Sequence, residues 1–352
     1  MAGLRVPIYV IGGGAVTPAG LNARQTLAAI RASLSAYEQH ILADPFGQIQ
    51  TVSRIPSHYS LRHTQNIWLT SMAARAVGEA LEKGGVAAGV SALLLVAPEA
   101  FRKHPAFAET PAAEFLTGLQ ARLGESFHPT SRIVGGGAAA CIGLLDQAAD
   151  LLATQEVEQV LLGGVDSLVN DKDIARLSAA NRLKAEDNAQ GLVPGEGAAV
   201  VCLRRAPSRN LPAQCAIHGV GVALEENSVL SENYSQGTAL LAACRAAIDG
   251  KGPTESDINF IVSNDNGERY SAWEALIGRS RFYRTRRETL PMAYPAMTVG
   301  EIGAGAGALT LLIAADSFAK GYAPGRVAMC EAASEAGMRA AALVSARSSS
   351  PS

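Results

Sequence analysis

The 352-residue chain is short of charge, aromatics, cysteine and histidine, and each shortage excludes something. Charged residues make up 18% and aromatic ones 5%, against 48% hydrophobic, so the chain is neither a disordered polyelectrolyte nor a fibre. The net charge is −2, and no basic block is longer than Arg204-Arg205 or Arg286-Arg287 apart from the mixed run RSRFYRTRR at 279–287. Nucleic acid is therefore not an expected partner, and that run reads as a basic contact patch or a solvated helix end. The five cysteines (Cys141, Cys202, Cys215, Cys244 and Cys330) lack CxxC spacing and lie in apolar stretches. Such spacing points to buried reduced thiols in a cytoplasmic protein, with no disulfide, metal or cofactor expected. The first apolar run is too short, and too soon met by glycine and proline, for a signal peptide or a membrane span. Histidine occurs six times, at 40, 58, 63, 104, 128 and 218, and never later.

What is present suits a large α/β body. Alanine and glycine are abundant, as in helices packed closely on buried sheets, and this length predicts one large or two fused domains. The segment 6–20, VPIYVIGGGAVTPAG, predicts a buried strand, a glycine turn and then a helix from about Ala23. A helix at 71–85 and an apolar strand at 91–99 follow; SRIVGGG then leads into a single helix, AAACIGLLDQAADLLATQ, and on to the strand EQVLLGGVDSL. GLVPGEGAAVVCLRR, 191–205, predicts a turn and another strand, which sets a first half at 1–205. After a linker-like stretch the rhythm recurs through 206–345, with RVAMCEAAS as the expected final strand and 346–352 as a disordered tail. GGGAVTP lacks the third glycine and the later acidic residue that a dinucleotide site requires.

Four stretches together resemble the β-ketoacyl synthases of the thiolase superfamily: VIGGGAVTPAG, AADLLATQEVEQVLLGGVDS, QGLVPGEGAAVVCL and MTVGEIGAGAGALTLLIA. The resemblance implies an α/β, five-layer αβαβα fold of two pseudo-symmetric halves, and a dimer formed by pairing strands across subunits. It also implies a cysteine thiolate at the start of a buried helix, activated by the helix N-terminus, and two histidines in the later half.

That machinery does not carry over. Where the family has its first histidine, SNDNGERY places Asn264 and Asp265; where it has the second, GEIGAGAG places Glu301 or, with a one-residue slip, Gly300. No lysine occurs between Lys251 and Lys320, and AASEAG replaces the family's glycine-phenylalanine gating loop. Counting back from LLGGVDS puts the nucleophile position at Ala138, with Cys141 one turn deeper; a shorter helix would make Cys141 the nucleophile instead. An ionised carboxylate only accepts hydrogen bonds and repels a developing enolate, so decarboxylative condensation is not expected. The cluster NDNGERYSAWEAL reads either as a capped strand-to-helix turn or as a recognition site. In the second reading Glu268, Arg269 and Glu274 contact a ligand or partner, and Glu268 or Glu274 meets Glu301.

The leading expectation is a catalytically degenerate scaffold or partner subunit, a homodimer, with a type VI secretion adaptor as one analogue. The alternatives are a chain-length-factor-like partner of an active ketosynthase, with an acyl-carrier protein nearby, and an acyltransferase using Cys141.

Overall fold

The structure is a computed structural model that describes residue 4 and residues 6–43, 49–56, 65–99, 112–250 and 252–347. Histidines 58, 63 and 104, the segment 101–111 and the tail residues 348–352 lie outside the described residues.

The strands of the first half are β1 (Ile8–Val16), a hairpin of β2 (Tyr37–Ala43) and β3 (Ile49–Ser53), β4 (Ser91–Ala97), β5 (Arg132–Gly135), β6 (Gln159–Ser167) and β7 (Glu196–Arg204). Its helices are α1 (Ala23–Arg31), α2 (Gln65–Gly84), α3 (Ala112–Leu123), α4 (Gly137–Gly143), α5 (Leu145–Thr154) and α6 (Asp171–Ala179). The second half holds β8 (Cys215–Leu224), α7 (Thr238–Ala247), β9 (Phe260–Ser263), α8 (Arg269–Phe282), β10 (Met292–Ala293), α9 (Ala296–Val299), α10 (Gly305–Ala319), β11 (Val327–Ala333) and β12 (Met338–Ala346).

Leaving the β2–β3 hairpin aside, each half has the same strand order, third-second-fourth-fifth-first: β5-β4-β6-β7-β1 and β10-β9-β11-β12-β8. The two first strands join edge to edge, Ile8 opposite Ile217 and Val10 opposite Cys215, so the sheet is continuous across the pseudo-twofold. Helices α4 and α10 pack against strands of both halves and against each other, forming the middle layer; α2 covers the outer face of the first half and α7 with α8 that of the second. This is the expected five-layer α/β body.

The middle layer explains the composition. All residues of α10 from Gly305 to Ser317 are buried, and a helix enclosed on every side must be apolar all round. Its small residues let α4 approach: a Cβ on Gly307 would collide with the Ala138 carbonyl oxygen and stand 2.8 Å from the Cys141 Cβ.

Several expected elements differ. The chain does not turn at Gly12–Gly14 but runs extended through them, paired with β7, and the glycines serve close approach: a Cβ at Gly13 would strike the Val200 carbonyl and one at Gly14 the Ala76 carbonyl of α2. The helix after β5 is divided at Leu144 into α4 and α5. RVAMCEAAS is not the last strand: β12 follows it and lies between β11 and β8. Among the described residues no helix is long and apolar enough to cross a membrane.

Candidate active site and its ion-pair lining

A cleft of about 300 Å³ opens where β6, β9 and β11 end, at the N-terminus of α4. Parallel strands ending together leave a crevice at their carboxyl ends, the usual ligand position in α/β folds. The cleft brings together Ala138, Asn264, Asp265, Glu268, Glu274 and Glu301 from distant parts of the sequence.

Of the two readings at the second histidine position, Glu301 and not Gly300 lines the cleft. Its carboxylate accepts from the Gly303 N–H at 2.8 Å and from Asn266 Nδ2 at 3.0 Å. Burial pushes the Glu301 carboxyl up to about 7, with the Gly303 and Asn266 hydrogen bonds opposing that rise and the Glu268 and Glu335 charges adding to it. Asn266 Nδ2 also donates to Glu268 at 3.0 Å, so one amide links Glu268 and Glu301. Glu274 is not part of that link. It meets Arg339 Nε at 2.7 Å and accepts from Ser235 at 2.9 Å.

At the first histidine position Asn264 is occupied by backbone: Nδ2 donates to the Ala333 carbonyl at 2.9 Å and Oδ1 accepts from the Ala333 N–H at 2.8 Å. Asp265 accepts from the Gly267 N–H at 3.2 Å, Gly267 adopting φ 86°, and burial raises the Asp265 carboxyl. The segment is thus a turn whose residues Asn264, Asp265, Asn266 and Glu268 line the cleft. Arg269 stands outside the cleft and is exposed.

Ala138, in the first turn of α4, faces the cleft. Cys141 does not. It is fully buried against Gly307, and burial pushes its thiol up to about 12.

The sequence reading left out the four arginines of the lining, Arg176, Arg182, Arg279 and Arg339, and their acidic partners Glu331 and Glu335. Arg182 is bidentate to Glu268 at 2.7 and 2.8 Å and reaches Glu335 at 2.6 Å. Arg279 donates from Nε and Nη2 to one oxygen of Glu331, Oε2, at 2.9 and 2.7 Å. Arg176 pairs with Asp173 at 3.1 Å and Glu335 at 3.0 Å. The signal was available: Glu331 in VAMCEAA and Arg339 in MRAAALVSA are single charges in otherwise apolar strands, and a buried charge needs a partner. Glu196, another buried carboxylate, serves the frame by accepting from the Ile55 N–H, Trp68 Nε1 and Ser167 Oγ. Among the described residues no cluster of histidine, cysteine and carboxylate side chains could hold a metal ion.

Residues 133–208 match the family model of the β-ketoacyl synthase N-terminal domain. The whole chain is similar in structure to a type II polyketide synthase acyl-carrier protein in complex with its ketosynthase, AntDE:AntF, with TM-score 0.80, 14% identity and coverage of 97% of this chain and 100% of that one. The ishigamide ketosynthase/chain length factor gives TM-score 0.78 and 16% identity over 97% of this chain and 100% of that one. A ketosynthase from module 6 of the bacillaene synthase of Bacillus subtilis 168 gives 0.72 and 14% over 98% and 73%. No curated protein sequence matches the chain. The chain thus has the fold of the ketosynthases, and residues 133–208 carry the β-ketoacyl synthase N-terminal match.

Proposed function

We propose that the chain is a non-catalytic, chain-length-factor-like subunit that pairs with an active ketosynthase in polyketide or fatty-acid synthesis. The observation that carries this reading is Ala138: where the fold presents a side chain to the cleft from the first turn of α4, there is a methyl group.

Condensation needs a thiolate to take the acyl chain and neutral donors to steady the enolate. Ala138 supplies neither, and Cys141 faces α10. Asn264 has both ends of its amide engaged by Ala333. Among the described residues each lining arginine is held by a carboxylate, so none of them is left open to receive the carboxylate of a malonyl thioester. Ketosynthase/chain-length-factor similarity over the chain's length favours this subunit role over a secretion adaptor. A two-subunit arrangement also suits the sheet edge at β5, which among the described residues pairs with β4 on one side.

Co-expression with the ketosynthase from the same genome tests the proposal. A stable one-to-one heterodimer is expected on size exclusion, and acyl-coenzyme A is expected to leave the mass of this chain unchanged. A thioester adduct that disappears in Cys141→Ala would establish the acyltransferase instead; a homodimer indifferent to ketosynthase would remove the pairing.

A further inference from the structure

A second hollow, of about 240 Å³, lies on the first half and shares no lining residue with the cleft. Helix α2 forms one wall: Trp68, Met72 and Arg75 follow one another at spacings of four and three, so they stand on one side of the helix. Val16 at the end of β1, Ile55 after β3 and Leu123 at the end of α3 add to the apolar lining, and Arg122 stands beside Leu123.

The apolar part is fixed before anything enters. Val16, Ile55 and Met72 are each 1% exposed and Trp68 is 7% exposed. Trp68 is held in place, because its Nε1 donates to the buried Glu196 carboxylate at 2.7 Å. A preformed apolar hollow with a few polar groups on its lining is the ordinary form of a small-molecule site.

Two cations on that lining have no partner. Arg75 and Arg122 are exposed, and among the described residues neither makes an ion pair or a hydrogen bond. Glu79, one turn beyond Arg75 on α2, is taken up instead by the Ala15 and Ala23 N–H groups. The cleft differs on this point, since each of its arginines is held by a carboxylate. A guanidinium left open presents a planar fork that matches a carboxylate, and here two of them line a hollow of buried hydrocarbon. At roughly the 30 Å³ that one water fills in the liquid, the volume takes about eight non-hydrogen atoms, too few for a segment of protein and enough for a short acid.

We propose that this hollow binds an aliphatic carboxylate of about six carbons, its tail against Trp68 and Met72 and its carboxylate on Arg75 and Arg122. The site goes beyond the subunit reading and depends on neither a ketosynthase nor the cleft.

Trp68 reports the binding. In full-length Trp273→Phe, which leaves Trp68 as the single tryptophan, hexanoate is expected to change the emission saturably with a Kd on the order of 1 mM. Hexan-1-ol, with the same tail and no charge, and acetate, with the charge and almost no tail, are each expected to bind about tenfold or more weakly. Arg75→Gln with Arg122→Gln is expected to weaken hexanoate by about tenfold or more and to leave hexan-1-ol unchanged. Both side chains being exposed, that double variant is expected to keep the unfolding midpoint. The proposal is overturned by no saturable change up to about 20 mM hexanoate, by hexan-1-ol or acetate binding as tightly as hexanoate, or by hexanoate binding that the double arginine variant leaves intact.

Discussion

Glu301 is the residue at which the chemistry of this cleft departs furthest from an imidazole site. Its carboxyl is held at about 7, above the ordinary 4.5 of the unfolded chain, so the folded state binds a proton that the unfolded state has already released between those values. The stability this gives is full below about 4.5 and is lost as pH rises through about 7. Glu301→Gln, which never ionises but keeps only one of the two acceptor oxygens, is expected to flatten that decline between pH 5 and pH 8. Denaturant melts of both proteins at pH 5 and pH 8 check it; a parallel pH dependence would assign the proton elsewhere. Glu301 and Ala138 were legible because each lies beside a recognisable glycine pattern. Which carboxylate each arginine meets was not, since an ion pair leaves no mark at fixed spacing when its members are 86 residues apart, as Arg182 and Glu268 are.

Elements decide what those residues face. Arg339 opens β12 at 1% exposure and spans to Glu274 of α8, also donating to the Ser334 carbonyl at 2.8 Å. Arg339→Met leaves the Glu274 carboxylate buried without its cation and is expected to cost about 3–5 kcal/mol. Adding Glu274→Gln is expected to recover most of that loss, because the stranded charge is gone; chemical denaturation of the two variants measures it. Strand β12 was not foreseen, because an alanine-rich run has weak strand preference and it is the flanking β11 and β8 that hold it extended. The same dependence on neighbours explains Gly12–Gly14, which look like a turn in isolation and are straight strand beneath α2.

At the scale of the whole molecule, the cleft is crossed by Arg182 from the first half, which grips Glu268 before α8 and Glu335 in the β11–β12 connection of the second. Arg182→Ala is expected to raise amide exchange at 265–271 and 334–337 while β6, β7 and β12 stay protected, with a global loss on the order of 3 kcal/mol. Unchanged exchange at those segments would show that the sheet alone holds the halves together. What the sequence by itself determined was the frame: small residues and buried apolar runs specify a large α/β body of helices packed on buried strands, because close helix-sheet contact imposes a local and periodic demand on side-chain size. The absence of histidine beyond residue 218 was equally plain, since composition needs no coordinates. Only the tertiary structure decided that Cys141 faces α10 while Ala138 faces the cleft, and which carboxylate meets which arginine. One residue's rotation about a helix axis and the pairing of charges far apart in the chain are fixed by packing around α4 and α10, not by neighbours in sequence.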